Sequence, residues 1–115
     1  MHELSIVEAL IEQVEKELRG SGHEGRVTRL ELQIGRLSGV NPEAIRFALE
    51  LLSPDTPVEG AEVEIDQPRA NCVCSACGAE TPIEEIEHRC PACGSTQISI
   101  EGGNELLLES IELQD

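Results

Sequence analysis

The sequence predicts an α/β fold: a small three-stranded sheet with two helices on one face, plus an inserted zinc-ribbon-like module. Three observations lead to this prediction. Apolar residues recur at helical spacing in two segments, and strand-like patterns occupy three others. All five cysteines fall within residues 69–102. The length of 115 residues suits one compact domain, or one domain with a small metal-stapled module.

The first predicted element is an amphipathic helix near the amino terminus. Its apolar residues follow one another at steps of three or four, and Glu and Lys occupy the other face. Gly20 and Gly22 end this helix. Residues 27–34 then alternate between apolar and polar side chains, which is typical of a half-buried strand. The apolar residues of the helix are Leu4, Val7, Leu10, Ile11, Val14 and Leu18.

A second helix is predicted to begin after Asn41. The Asn side chain can accept hydrogen bonds from free backbone N–H groups, and Pro42–Glu43 favours a first helical turn. Residues 53–57 end the helix, because their two prolines cannot continue its hydrogen bonding. Residues 61–66 alternate as a second strand, and residues 105–113 resume a strand-like pattern.

The cysteine-rich segment divides the chain into two predicted domains. Residues 1–67 and 103–115 would form an α/β domain, and residues 68–102 a zinc-binding module inserted between its strands. The module has only short apolar clusters, too few to fold without a staple.

Two C-x-x-C pairs separated by twelve residues predict a structural zinc site. Such turns bring four thiolates to tetrahedral positions, and binding the ion would fold the module. Disulfides are not expected, because the cytoplasm keeps thiols reduced. A redox-active pair and an iron–sulfur site are the weaker alternatives. The predicted ligands are Cys74, Cys77, Cys90 and Cys93.

Two further residues are candidates for secondary metal contacts. Cys72 is too close to Cys74 to form another C-x-x-C pair, and we expect a spectator thiol, with transient ligation in another metal state as the alternative. His88 lies two residues before Cys90. A surface position is expected for it, although the module could carry its ring towards a bound ion.

The amino terminus offers a chelate that suits Ni²⁺ or Cu²⁺. The Met1 amine, the backbone nitrogen of His2 and its ring Nδ1 can close two chelate rings in one plane, which matches the tetragonal preference of these ions. Glu3 is one candidate for the fourth position. A histidine at position 2 is more often an ordinary surface residue, so the residues alone leave this interpretation open.

Charge and composition exclude several functions. The formal net charge is −15 and Phe47 is the single aromatic residue, so binding to nucleic acid or to an anionic membrane is not expected. No apolar run reaches the length of a membrane span, and the amino terminus lacks the layout of a signal peptide, which predicts a cytoplasmic protein. No nucleophile–base pair with an orienting group is evident, so we expect no enzyme activity.

Four short segments accompany the cysteine pairs in a specific combination. Met1–Ser5 opens a helix, Ile34–Val40 follows the first strand, Pro42–Ala44 starts the second helix, and Gly103–Leu106 leads into the last strand. With these segments and the paired cysteines, the whole chain resembles the HypA/HybF family of nickel metallochaperones for hydrogenase maturation.

The resemblance implies a set of metal sites and partners. Met1 (through its amine), His2 and Glu3 would bind Ni²⁺ as exchangeable cargo, and the four paired cysteines would bind structural Zn²⁺. The family passes nickel on with a HypB-type GTPase to the hydrogenase large subunit, and in some organisms it also serves urease. Some members carry Asp where this chain has Asn41, which is better explained here as a helix cap. A monomer or weak homodimer is expected.

An alternative function from another class is a zinc-ribbon adaptor that binds a protein partner and no nickel. A zinc-loaded chain that failed to bind nickel at micromolar concentrations would favour this alternative.

Overall fold

The computed structural model describes residues 2–22 and 25–114. Within these residues lie two helices and six strands, which form two three-stranded sheets. The predicted fold class is confirmed: one three-stranded sheet accompanies the two helices, and a cysteine-rich module precedes the final strand. In chain order the elements are α1 (His2–Ser21), β1 (Val27–Ile34), α2 (Pro42–Leu52), β2 (Glu62–Asp66), β3 (Ala70–Cys74), β4 (Glu80–Ile83), β5 (Ile98–Gly102) and β6 (Leu106–Leu113).

The first of two compact units contains both helices and most of the sheet with strand order β2-β1-β6. Its buried apolar side chains are aliphatic and come from α1, β1, α2 and the segment that follows α2. Burial of each large aliphatic side chain stabilises a fold by roughly 1.5–3 kcal/mol. Of the helices that the structure describes, neither is long and apolar enough to cross a membrane. The buried aliphatic residues of this unit are Val7, Ile11, Val14, Leu18, Val27, Leu30, Leu32, Ile45, Ala48, Leu49 and Val58.

Helix α2 begins as its sequence predicts. The Oδ1 atom of Asn41 accepts hydrogen bonds from the N–H groups of Glu43 (2.9 Å) and Ala44 (3.4 Å), and Pro42 occupies the first turn. The prediction that Asn41 caps the helix is therefore confirmed. At the other end, the N–H of Ser53 donates to the carbonyl oxygen of Leu49 at 2.9 Å.

The second unit is built on the sheet with strand order β4-β3-β5, in which β3 pairs antiparallel with both neighbours. Alternate residues of β3 are buried, namely Ala70, Cys72 and Cys74. Ala70 and Cys72 form a small core with Ile83, against which Leu37 and Ile98 pack. Because the core is this small, the unit needs stabilisation beyond apolar burial.

The compact units differ from the predicted domains at residues 33–39 and at both boundaries of the inserted module, where residues 66–67 and 103–107 also join the second unit. The first unit comprises the chain up to Leu32, Val40–Ile65 and the chain from Leu108, whereas the second comprises Gln33–Gly39 and Asp66–Leu107. Residues 33–39 thus belong with the cysteine-rich module. Backbone hydrogen bonds explain this: the N–H groups of Gly35, Arg36 and Leu37 donate to the carbonyl oxygens of Glu105 (2.8 Å), Pro68 (3.0 Å) and Gly103 (2.6 Å), respectively.

Gly35 lies against another glycine within the second unit. A Cβ atom at position 35 would overlap the carbonyl group of Gly103 and would come within 2.6 Å of the Oε1 atom of Glu105. The same Oε1 atom is buried and, among the described residues, has no hydrogen-bond partner. Residue 35 must therefore lack a side chain for this backbone approach to form.

We expect Gly35→Ala to lower the free energy of unfolding by about 1–3 kcal/mol, because the added methyl group forces two backbone segments apart. Denaturant unfolding of the zinc-loaded protein measures this. Gly20→Ala is the matched control, since a Cβ at position 20 meets no atom within 4 Å. Equal stability of the two variants would contradict the inferred close approach.

The cap of α2 gives a second test. Asn41→Ala should cost about 1 kcal/mol of stability, because two backbone N–H groups at the helix start lose their acceptor. Asn41→Asp should retain most of the stability, since its carboxylate accepts the same bonds and favours the positive end of the helix dipole. Thermal unfolding of both variants checks the prediction, and an unchanged melting temperature in Asn41→Ala would argue against the cap.

Candidate metal centre

Two similar turns carry the paired cysteines. Cys74 is the last residue of β3, which positions the first turn, whereas the Cys90–Cys93 turn lies in the connection between β4 and β5. In each turn the N–H of the first cysteine (residue i) donates to the carbonyl oxygen of residue i+5. The carbonyl oxygen of the same cysteine accepts a hydrogen bond from the N–H of residue i+4. These bonds are Cys74 N–H to Ala79 (3.0 Å), Gly78 N–H to Cys74 (3.0 Å), Cys90 N–H to Ser95 (2.8 Å) and Gly94 N–H to Cys90 (2.8 Å).

A glycine closes each turn in the left-handed backbone region. Gly78 has φ 77° and Gly94 has φ 79°, values that a residue with a Cβ adopts only at a cost. The C-x-x-C-G pattern of the sequence therefore specifies both the thiol groups and the backbone turns that direct them towards one another.

The four sulfur atoms form one cluster. The Sγ atoms of Cys74, Cys77, Cys90 and Cys93 all lie within 4.8 Å of one another, with Cys74–Cys93 and Cys77–Cys90 both at 3.7 Å. A tetrahedral zinc ion with Zn–S bonds of about 2.3 Å places its sulfurs roughly 3.8 Å apart, whereas a disulfide requires about 2.05 Å. The spacing fits a single tetrahedral ion, and the cysteines form no disulfide.

Backbone N–H groups point at the first sulfur of each pair. The N–H of Cys77 donates to the Sγ of Cys74 at 3.4 Å, and the N–H of Cys93 donates to the Sγ of Cys90 at 3.5 Å. The first of these bonds lowers the pKa of Cys74 to about 7, against the opposing effect of burial. The second lowers the pKa of Cys90 in the same way. Both shifts favour the thiolate form, which is the form that binds metal ions.

Cys72 lies outside the sulfur cluster. Its side chain is 1% exposed and belongs to the small core of the second unit, with Ala70 and Ile83. Burial, reinforced by the nearby sulfurs of Cys90 and Cys74, raises the pKa of the Cys72 thiol. This environment favours a neutral packing thiol, in keeping with the spectator role that we expect for it.

The remaining predicted site residues are not brought together in the described part of the chain. His88 is exposed and is not a member of the four-cysteine group. Met1 and the side chain of His2 lie outside the described residues. Glu3, in the first turn of α1, is the one charged side chain among the described residues that is buried. The predicted nickel ligands therefore stay a prediction.

The sequence did not predict that residues 33–39 and Glu105 belong to the unit that contains the sulfur cluster. Leu37 packs on the core formed by Ala70, Cys72 and Ile83, and the N–H of Gly35 donates to the carbonyl oxygen of Glu105. The glycines at positions 35 and 103 were the available signal, because closely approaching backbones favour residues without side chains. Only the folded chain reveals which segments approach one another.

The chain matches the model of one protein family over nearly its whole length. The model of the HypA family, described as "Hydrogenase/urease nickel incorporation, metallochaperone, hypA", matches residues 1–113. The chain belongs to the HypA family.

Relatives and solved structures agree with this membership. The hydrogenase maturation factor HypA of Chlorobium limicola is 38% identical over 115 residues, covering all of this chain and 98% of that protein. The HypA of Rhodobacter capsulatus is 39% identical over 116 residues, covering 98% and 99% of the two chains. The solution structure of the Ni metallochaperone HypA from Helicobacter pylori has a TM-score of 0.66 and 25% identity, covering 98% and 97%. A second HypA solution structure has a TM-score of 0.70 and 26% identity, covering 99% and 97%.

These matches confirm the resemblance on which the nickel-chaperone interpretation was based. They give no support to the alternative of a zinc-ribbon adaptor without nickel, because the HypA family and its relatives are described by nickel incorporation and hydrogenase maturation.

The two classes of cysteine predict different outcomes on substitution. Cys93→Ser should reduce the bound zinc from about one ion per chain to a small fraction, because a closed tetrahedral site loses one of its thiolates. Cys72→Ala should retain the ion, with only a modest loss of stability from packing. Zinc content after gel filtration, measured by inductively coupled plasma mass spectrometry, checks both expectations. If Cys72→Ala lost zinc as completely as Cys93→Ser, Cys72 would have to be counted among the ligands.

Proposed function

We propose that this chain is a nickel metallochaperone, which binds Ni²⁺ as exchangeable cargo and delivers it for maturation of [NiFe]-hydrogenase, and of urease in organisms that use the same route. The observation that carries the proposal is the match of the HypA family model over residues 1–113. The protein acts as a carrier and not as an enzyme, because the chemistry it performs is ligand exchange on a metal ion.

The four-cysteine cluster is proposed to hold Zn²⁺ as a structural ion. Four thiolates leave no open coordination position, and structural zinc sites are closed in this way. Sulfur spacing of 3.7 Å supports this assignment. When bound, the ion contributes folding free energy to a unit whose apolar core is small.

Nickel is proposed to bind at the amino terminus, through the Met1 amine, His2 and Glu3. Nitrogen ligands in one plane suit the tetragonal preference of Ni²⁺. Burial of Glu3 in the first turn of α1 restricts its carboxylate to few positions, which supports its role as a fixed ligand. A ligand set with an open position releases its ion more readily than the closed zinc site.

The proposed partners are a HypB-type GTPase and the hydrogenase large subunit, met in the cytoplasm by a monomer or weak homodimer. The net charge of −15 supports encounter with basic protein surfaces and raises the local concentration of cations.

A nickel titration of the zinc-loaded protein tests the proposal. The chain with its native Met1 should bind about one Ni²⁺, whereas a chain extended by three residues should bind at least tenfold more weakly, because the extension removes the free amine from the chelate. His2→Ala should have a comparable effect. Protein concentration has to come from amino-acid analysis, since the chain has no Trp or Tyr.

Zinc content serves as the control and should be the same in all three forms. Equal nickel affinity of the native and extended chains would overturn the ligand set while leaving the carrier function intact. Absence of nickel binding to the native chain would overturn the carrier function itself.

A further inference from the structure

One face of α2 is apolar and exposed. Phe47 and Leu51 are one helical turn apart, and their side chains are 57% and 56% exposed. The opposite face buries Ile45, Ala48 and Leu49 in the first unit. Phe47 is the single aromatic residue of the chain, so the one side chain best able to fill a core lies at the surface. We define the α2 stripe as Glu43, Phe47, Glu50, Leu51 and Pro54, all of which are exposed.

A depression of about 390 Å³ adjoins the stripe in the same unit and shares Glu50 and Pro54 with it. Its lining includes the aliphatic side chains of Leu49, Val58 and Val63. The stripe offers a partner a flat apolar contact, and the depression can accept a projecting side chain. Aromatic residues such as Phe47 contribute most to protein interfaces in well-packed apolar surroundings of this kind.

Acidic side chains border this apolar surface. Glu43 is 85% exposed, and its nearest described cation, Arg46, is 4.0 Å away. Arg46 itself donates to the carbonyl oxygen of Val63 at 2.8 Å, so its charge is turned towards the backbone of the depression. Glu50 takes part in none of the ion pairs found among the described residues.

The acidic side chains around the α2 stripe favour some binding partners over others. A second copy of the chain would bring a second set of acidic side chains and a second net charge of −15 onto the same face, which like-charge repulsion opposes. Anionic lipid and nucleic acid are disfavoured for the same reason. A protein surface that carries an apolar side chain between Lys or Arg residues complements both the stripe and its border.

We propose that the α2 stripe and the adjoining depression form the docking surface for a basic-flanked apolar segment of the GTPase partner. This inference rests on the proposed function, and it assigns the partner contact to α2 of the first unit. Phe47 and Leu51 supply the apolar contact, and Glu50 pairs with a cation of the partner.

The test is the affinity of the zinc-loaded chain for the purified HypB-type GTPase, measured by surface plasmon resonance. The double variant Phe47→Ala/Leu51→Ala should weaken binding by about 30-fold, the effect of losing an interface hot spot. Glu50→Lys should slow association by about tenfold at low salt and less at high salt, because it reverses a charge that steers the partner.

Matched controls separate this surface from general effects. Ile86→Ala removes a 65% exposed apolar side chain and Glu101→Lys reverses an exposed charge, both in the second unit; neither should alter binding. Nickel stoichiometry and melting temperature of the α2 variants should equal those of the unsubstituted chain, since the changed side chains are exposed.

Each outcome decides a different point. Unchanged GTPase affinity in the α2 variants, with the unsubstituted chain binding, would overturn the docking surface and leave the proposed function standing. If the unsubstituted chain bound nickel but not the GTPase, both the proposed partner and this surface would fall. Self-association abolished by Phe47→Ala/Leu51→Ala would reassign the surface to a second copy and overturn the proposal.

Discussion

The convergence of four cysteine sulfurs is the constraint on which the second unit depends. The apolar cluster around its central strand contains three buried residues, Ala70, Cys72 and Ile83, with two partly buried neighbours, too little to balance the entropy of ordering its chain. Three features bring the sulfurs together: the paired turns, the glycines that close them, and the backbone N–H groups that donate to the sulfurs. A metal ion at the cluster would supply what the small core lacks.

The sequence predicted features that local spacing determines. Helical and alternating periodicities identified both helices and the sheet of the first unit, and the C-x-x-C spacing identified the four clustered thiols, because each turn fixes its own geometry. The assignment of residues 33–39 to the second unit depends instead on backbone bonds from Gly35 and Leu37 to residues about seventy positions away. Nearly every residue carries the same backbone N–H and C=O groups, so the pattern of side chains does not predict which distant backbone segments will form hydrogen bonds with each other.

Two contrasting modes of metal binding are combined in the proposed chaperone. The cysteine cluster is closed and partly buried, and its sulfurs receive hydrogen bonds from a rigid backbone. The proposed nickel ligands stand at one end of the chain, where one residue, Glu3, is fixed by burial. Under this proposal the cysteine site retains its ion and the terminal site exchanges its ion, so retention and delivery are assigned to different parts of the chain.

The strand order of the first sheet has a consequence for biosynthesis. β1 is central, and its neighbour β6 is the last strand of the chain; Thr28 donates its hydroxyl to the carbonyl of Glu112 at 3.1 Å across that pairing. All four clustered cysteines precede β6, so they leave the ribosome before the first sheet can be completed. Contacts of such long sequence separation form late. The four clustered cysteines are thus available to a metal ion while the sheet still lacks β6, so metal binding can precede completion of the first sheet.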